Sequence, residues 1–140
     1  MYKKQILKIG HSRKSKVASC LVLSFVLIGT IAANVSAGNI TDREYEYTCG
    51  PNGFATSTEE KWDYTSAYIY HQGNSAAYVQ VRSNGINYSA NGGSYYVSPG
   101  QQLYLPNYVK ENGADNCYLY LTPSSSQWVK LYGVWSPDSV

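Results

Sequence analysis

The sequence predicts an all-β domain in residues 38–140, a small antiparallel β-sandwich of about 7–8 strands. Of the 15 tyrosines, 14 lie in this range together with all three tryptophans, and such side chains favour half-buried, pleated strands. No stretch repeats apolar residues at the spacing i, i+3, i+4, i+7 that a long helix requires. Turn-forming residues divide the range into short segments, which is typical of a sandwich or a small barrel. Of these two we prefer the sandwich.

Residues 1–37 have the pattern of a secretory signal peptide. Basic residues without any acidic residue precede an apolar run at 20–33, and the small residues Val35 and Ala37 follow it. The run is shorter than the roughly 20 apolar residues that a membrane-spanning helix needs. We therefore expect cleavage between Ala37 and Gly38 and one secreted, extracellular domain of residues 38–140, with no stable membrane span. An uncleaved N-terminal anchor is the alternative. Cys20 begins the apolar run, whereas a lipoprotein cysteine would follow it, so no lipid anchor is expected.

Removal of this segment reverses the net charge. The whole sequence carries a net charge of +2, but six of its eleven basic residues and none of its nine acidic residues lie before Gly38. Residues 38–140 therefore have a net charge of −4. This charge gives no support to a nucleic-acid partner or an anionic membrane partner.

Two cysteines, Cys49 and Cys117, remain after the cut. An even count in an exported domain predicts one disulfide, which would stabilise the fold by about 4 kcal/mol in the chain-entropy description. Two separately buried thiols are the alternative.

The first half of the domain begins with polar residues. Residues 38–47 are predicted to form a loose lead-in held by Cys49, and the glycine- and proline-bearing stretch at 49–53 is predicted to form a turn. After a polar connection at 56–60, a strand is predicted at 62–70. Its alternation places Tyr64, Tyr68 and Tyr70 on one face.

A hairpin at Asn84-Gly85 is the strongest local prediction, because these residues accept the positive φ angles of a type I′ turn. A two-residue loop pairs Ser83 with Ile86. Counting outward gives the further pairs Val81–Tyr88 and Val79–Ala90 on one face, and Arg82–Asn87 and Gln80–Ser89 on the other. The turn register and the hydrophobic pattern agree, since a slip of one residue would expose the valines.

The second half of the domain continues with short strands. Strands are predicted at 94–98 and 102–105, joined by a type II turn at 98–101 with proline and glycine at its centre, and a loop is predicted at 111–116. Cys117, Leu119 and Leu121 then alternate inward. In a last strand at 127–135, one face carries Val129, Leu131 and Trp135, and the other carries Trp128, Lys130 and Tyr132.

No catalytic set is evident in residues 38–140. His71 is the one histidine there, and no serine or carboxylate spacing selects it for a triad, so we interpret it as a surface or turn residue. The carboxylates of Glu59, Glu60, Asp63, Glu111 and Asp115 would serve glycoside hydrolysis only as a close pair, and most lie among loop residues. Ligands for zinc are too few. The 111–116 loop offers oxygens to calcium without the EF-hand spacing, so an ordinary turn is favoured.

The aromatic content exceeds what one small core needs, so some tyrosines must be exposed. Exposed tyrosines provide rigid, amphipathic contact area, although tyrosine is also a common residue on exposed strand faces. We predict a non-enzymatic binding protein without a cofactor or metal, which uses a tyrosine-rich strand face. The sequence does not identify its ligand, for which a cell-envelope glycan or protein is the candidate. The candidate binding residues are Tyr64, Tyr68, Tyr70, Tyr118, Tyr120, Trp128 and Tyr132.

Two stretches resemble known families. The ending Gly133-Val134-Trp135-Ser136-Pro137-Asp138-Ser139, with Leu105-Pro106-Asn107-Tyr108-Val109, resembles small signal-bearing proteins of unknown function from Gram-positive bacteria, which assigns no activity. Thr65-Ser66-Ala67-Tyr68 with Tyr70-His71, Gly73 and Ser75-Ala76 is similar to a segment of lactococcin-type bacteriocins. That resemblance implies an exported β-sandwich that interferes with cell-wall synthesis through a lipid-linked precursor. This chain is longer and has two cysteines that the bacteriocin pattern lacks. A bacteriocin-like effector is thus the first alternative function, and a small secreted hydrolase is the second.

Overall fold

A computed structural model describes residues 38–140, and the predicted signal peptide lies outside the described residues. Within this range the chain forms ten strands. Their bounds are β1 Arg43–Cys49, β2 Phe54–Ala55, β3 Glu59–Glu60, β4 Ala67–His71, β5 Ala77–Ser83, β6 Ile86–Asn87, β7 Tyr95–Val97, β8 Gln102–Leu105, β9 Asn116–Pro123 and β10 Val129–Ser136. No helix in the described range is long and apolar enough to cross a membrane.

The strands form two antiparallel sheets, which confirms the predicted all-β fold. The four-stranded sheet has the order β1-β10-β4-β8, and the six-stranded sheet contains β2-β9-β5-β6 with β3 on β9 and β7 on β5. The strand count exceeds the prediction because β2, β3 and β6 are two-residue segments. Alternate side chains of both sheets point inward, as the period of a strand requires.

The core is built from these inward side chains of both sheets. Ile69, Leu131 and Trp135 of the four-stranded sheet are fully buried, as are Val79, Val81, Leu119 and Leu121 of the six-stranded sheet. The predicted inward alternation of the strand after Cys117 and of the last strand is thus confirmed. Outward positions of both sheets carry tyrosines and polar residues.

The predicted hairpin is confirmed close to its turn. Arg82 pairs with Asn87 and Ser83 with Ile86, Asn84 and Gly85 both have positive φ angles, and the Tyr88 N–H donates to the Val81 carbonyl. The predicted outer pairs are wrong, because Val79 pairs with Tyr95 of β7. The Ser89 hydroxyl instead accepts a hydrogen bond from the Val81 N–H, so the chain leaves the sheet there and returns at β7.

The predicted type II turn at 98–101 is confirmed. Gly100 has a φ of 77°, which this turn type requires at its third position, and the Gln101 N–H donates to the Ser98 carbonyl at 3.1 Å. The turn joins β7 to β8, so a short connection links the two sheets.

The polar lead-in is a strand, which corrects the prediction of a loose segment. β1 pairs with β10 over its full length, from Arg43 opposite Trp135 to Cys49 opposite Val129. Its outward residues include Glu44 and Glu46, and only Tyr45 and Cys49 are buried. Charged residues of this kind are usual on a sheet edge, where they discourage pairing with another chain.

The strand predicted at 62–70 begins only at Ala67. Residues before it bend, because the Asp63 carboxylate accepts hydrogen bonds from the Thr65 N–H and hydroxyl, a turn that competes with the sheet ladder. Tyr64 therefore does not share the face of Tyr68 and Tyr70.

The predicted disulfide is wrong, because Cys49 and Cys117 are separate buried thiols. Glu59, the register partner of Cys117, is bonded at 3.0 Å to Arg43, at the opposite end of β1 from Cys49. Cys49 lies six positions after Arg43 on β1, which places their Cα atoms about 20 Å apart. A disulfide tolerates Cα atoms no more than about 7 Å apart, so the two cysteines cannot be bridged in this fold.

Both thiols are expected to resist alkylation in the native protein. Burial raises the pKa of Cys117 to about 12 and also raises the pKa of Cys49, which disfavours the reactive thiolate of both. Intact mass of residues 38–140 after iodoacetamide treatment should show no adduct under native conditions and two adducts in denaturant without reductant. A denatured protein that gains adducts only after reduction would contradict the separate thiols.

Candidate binding surfaces

The seven predicted binding residues do not form one surface. Tyr68 and Tyr70 of β4 and Tyr132 of β10 face outward from the four-stranded sheet. Tyr118 and Tyr120 of β9 face outward from the six-stranded sheet. Tyr64 and Trp128 lie in loops. The residues predicted to form one tyrosine-rich face are therefore distributed over the two sheets and the loops.

The four-stranded sheet carries the largest group of predicted residues. Tyr104 of β8 is the register partner of Tyr68, and their ring centroids lie 5.7 Å apart. Val134 is the register partner of Tyr70, and Tyr132 lies two residues before Val134 on the same face of β10. We call this set, Tyr68, Tyr70, Tyr104 and Tyr132, the tyrosine face. Tyr104 is more than half exposed and was missed because the sequence does not tell which strand lies beside which.

The hydroxyl groups of the tyrosine face are free to form hydrogen bonds with a ligand. Four other tyrosine hydroxyls in the domain form hydrogen bonds, those of Tyr45, Tyr95, Tyr118 and Tyr120. Those of the tyrosine face form no hydrogen bond with any other residue in 38–140. Each ring can therefore present both an apolar surface and a polar tip to a ligand.

Acidic residues border the tyrosine face along β1. Glu44 and Glu46 are the register partners of Val134 and Tyr132, and Lys130 neutralises Glu46 at 2.7 Å. Partial burial raises the pKa of the Tyr68 hydroxyl, and the nearby Asp42 carboxylate raises it further. Glu44 has no salt bridge within the described residues, and neither has Asp42. The local potential on this side is therefore negative.

A groove of about 250 Å³ lies at one end of the tyrosine face. Tyr68, Tyr104, Gln102 and Asp42 line it together with residues 136 and 138–140. Rings, an amide and the Asp42 carboxylate thus converge in one concave place, which is the usual composition of a binding site.

The opposite outer face is already engaged in holding loops. The Tyr118 hydroxyl accepts the Gly85 N–H at the hairpin turn, and the Tyr120 hydroxyl donates to the Asn52 carbonyl. Arg82 stacks on the Tyr120 ring at 4.2 Å. Tyr78 and Tyr96 contact each other nearby, with ring centroids 5.4 Å apart. These contacts explain Tyr118 and Tyr120 as structural residues.

Trp128 lies at one end of the sandwich and is 75% exposed. Its ring rests on Gly50, where an added Cβ would come within 3.1 Å of it. Together with Tyr47 and Phe54, whose rings stack at 4.1 Å, it lines an aromatic cleft of about 420 Å³. This cleft is separate from the tyrosine face.

His71 is fully buried, which corrects its interpretation as a surface or turn residue. One ring nitrogen, Nε2, lies 2.6 Å from the Ser75 carbonyl, which can only accept, so Nε2 is the donor. Nδ1 then accepts from the Tyr45 hydroxyl at 2.8 Å. Both nitrogens are occupied, and neither contacts a serine hydroxyl or a carboxylate. The geometry gives no support to a triad at His71.

A buried ion pair that the sequence did not reveal lies beside the groove. Lys61 Nζ and Asp138 Oδ1 are 2.7 Å apart with both side chains fully buried. Lys61 also donates to the Thr65 and Pro137 carbonyls, while Asp138 Oδ2 accepts from the Asn39 and Trp62 N–H groups. Every charge is thus compensated, as burial demands. The ion pair and its hydrogen bonds thus hold three parts of the domain together, namely the segment at Asn39, the 61–65 loop and the C-terminal segment.

The 111–116 loop shows the arrangement of an ordinary turn. Asp115 is paired with Lys110 at 2.7 Å, Asn116 begins β9, and Gly113 has the positive φ of a turn glycine. No group of three or more His, Cys, Asp or Glu side chains that could hold a metal ion occurs among the described residues.

Comparison with known sequences places the chain in a family. Among curated proteins, none matches it. A family model described as a protein of unknown function, DUF2712, matches residues 33–139, which includes every described residue except Val140. The chain therefore belongs to the DUF2712 family of proteins of unknown function.

Proposed function

We propose that residues 38–140 act outside the cell as a non-enzymatic binding domain, and that the tyrosine face binds a cell-envelope protein through basic side chains. The observation that carries this proposal is the placement of four tyrosines with free hydroxyls beside the unneutralised carboxylates of Asp42 and Glu44. Export of the chain is the expectation drawn from residues 1–37.

Lysine and arginine side chains fit this surface for two reasons. A cation over a tyrosine ring is attracted by the negative face of the ring, as Lys130 near Tyr132 already illustrates at 5.7 Å. A carboxylate beside the ring adds a charge-assisted hydrogen bond. The net charge of −4 for residues 38–140 favours the approach of a basic partner and opposes anionic polymers.

Tyrosine-rich surfaces also suit the energetics of protein recognition. A tyrosine ring provides a large contact area and loses little conformational entropy on binding. Tyr68 and Tyr104 already contact each other and are only partly buried, so little reorganisation is needed. The groove at their edge accepts one extended side chain from the partner.

A double variant tests this proposal. We expect Tyr68→Ser with Tyr104→Ser to reduce the binding of residues 38–140 to isolated Gram-positive cell envelopes by about tenfold or more, since each ring contributes roughly 1 kcal/mol. Sedimentation with envelopes would measure the bound fraction. Protease treatment of the envelopes and high salt should each weaken binding, because the partner is a protein and the attraction is partly ionic.

The opposite face supplies a matched control. Tyr78→Ser with Tyr96→Ser removes an equivalent contacting pair from the six-stranded sheet and should leave envelope binding unchanged. Equal losses in both double variants, or undiminished binding to protease-treated envelopes, would overturn the proposal.

A further inference from the structure

A second cleft lies away from the tyrosine face, where β3 meets β9. Its volume is about 510 Å³, and its lining includes Glu60, Trp62, Lys110, Asp115 and Asn116. The pairing of Glu60 with Asn116 and the hydrogen bond from the Lys61 N–H to the Asp115 carbonyl hold its two sides together.

Trp62 forms an aromatic platform in this cleft. The side chain is 53% exposed, although its ring is held by a hydrogen bond from Nε1 to Glu60 Oε2 at 3.1 Å. Its backbone N–H is anchored to the buried carboxylate of Asp138 at 2.8 Å. The ring is thus exposed and preorganised, which lowers the entropic cost of binding.

Hydrogen-bond donors and hydrogen-bond acceptors both lie around the Trp62 platform. Asp115 is bonded to Lys110 through Oδ1 at 2.7 Å, and its side chain is 84% exposed, so its second oxygen faces solvent. Asn116 uses Oδ1 to accept from Ser83 at 3.1 Å, which leaves its amide N–H groups as donors. Two lysines line the cleft, and both are neutralised, Lys110 by Asp115 and Lys61 by Asp138, so the cleft has no excess positive charge for a phosphate.

We propose that this cleft binds a neutral pyranose glycan, with one sugar ring stacked on Trp62 and its hydroxyl groups bonded to Asp115 and Asn116. An apolar ring face next to mixed donors and acceptors matches the surface of a sugar, which has C–H groups on its faces and hydroxyls at its edge. Glu60 is occupied by the Trp62 indole and positions the ring. The site is independent of the tyrosine face and would let the domain contact a glycan and a protein at once.

Indole N–H signals in NMR spectra provide the test. Residues 38–140 would be titrated with maltotetraose, cellotetraose and tetra-N-acetylchitotetraose up to about 10 mM, which detects millimolar dissociation constants. We expect at least one of these probes to shift the Trp62 indole signal, while the signal of the buried Trp135 serves as an internal reference.

Two tryptophan variants complete the experiment. Trp62→Ala should weaken the binding of that probe about tenfold or more, measured on backbone signals of Asp115 and Asn116, and should leave the melting temperature almost unchanged because the ring is exposed. Trp128→Ala, which removes the other exposed tryptophan, should retain binding. Absence of any shift at Trp62 with all three probes, or an equal loss in Trp128→Ala, would overturn the proposal.

Discussion

Replacing Asp138 with alanine is expected to lower the free energy of unfolding by about 3–5 kcal/mol, because it leaves the fully buried ammonium of Lys61 without its counter-ion. The same change removes the acceptor of the Asn39 and Trp62 N–H groups. Lys61→Met should cost less, since the remaining carboxylate keeps those two donors and can take up a proton. Urea unfolding of both variants would measure the difference.

A matched surface pair serves as the control for this prediction. Lys110 and Asp115 have the same 2.7 Å separation, but Asp115 is 84% exposed, so Asp115→Ala should change the stability by no more than about 1 kcal/mol. Similar losses for Asp138→Ala and Asp115→Ala would contradict the role given to the buried pair.

Low pH should weaken the buried ion pair between Lys61 and Asp138. Burial alone would raise the pKa of Asp138, but the hydrogen bond from Lys61, those from the Trp62 and Asn39 N–H groups and the charge of Lys61 together lower it. A carboxylate with a lowered folded-state pKa stabilises the protein above its unfolded pKa of about 4, and this contribution is lost as the pH falls through the folded value. The melting temperature should therefore fall below pH 4, and less steeply in Asp138→Ala.

Gly133→Ala is expected to be the second strongly destabilising change, with a cost of about 3 kcal/mol or more. The new Cβ would lie 2.1 Å from the Tyr70 carbonyl oxygen, which is backbone of the neighbouring strand, and 2.9 Å from the Tyr45 hydroxyl. Gly133 is the register partner of both Tyr45 and His71, so its missing side chain leaves room for the hydrogen bond between them. Thermal unfolding would report the loss.

A glycine without close neighbours gives the comparison. An added Cβ at Gly93 meets nothing within 4 Å, and Gly93 has no positive φ, so Gly93→Ala should be neutral or slightly stabilising. If Gly133→Ala unfolds at the same temperature as Gly93→Ala, the close approach at Gly133 is refuted.

Local signals in the sequence predicted the fold well where the backbone conformation depends on adjacent residues. Asn84-Gly85 fixes its turn because both residues accept positive φ angles, and Gly100 does the same for the type II turn. The inward alternation of Leu119 and Leu121 follows from the period of a strand. The predicted hairpin pairing fails where the Ser89 hydroxyl accepts a hydrogen bond from the Val81 N–H, because this side-chain contact replaces a backbone hydrogen bond between the strands.

Errors arose where distant residues decide the structure. β1 is a strand because β10 supplies its hydrogen bonds, although its own sequence is polar. The lysine and aspartate of the buried pair are 77 residues apart, and neither has an unusual neighbour in the sequence. The even number of cysteines was misleading because the topology places Cys49 and Cys117 at opposite ends of the sandwich.

The candidate site was predicted in part for the same reason. Alternation placed Tyr68, Tyr70 and Tyr132 outward, and the structure agrees. Which sheet each strand joins is a long-range property, so Tyr118 and Tyr120 were assigned to the same surface and Tyr104 was omitted. Exposed tyrosines can be predicted from their excess over the core, whereas their grouping needs the sheet order.

Hydroxyl-radical footprinting of residues 38–140 bound to cell envelopes is the most direct test of the proposed binding surface. Tyr68 and Tyr104 should be protected from oxidation in the bound protein, while Tyr78 and Tyr96 on the opposite sheet should react as in the free protein. These two pairs have similar ring contacts, so each provides the reference for the other. Protection of Tyr78 and Tyr96 with unchanged oxidation of Tyr68 and Tyr104 would contradict the proposal.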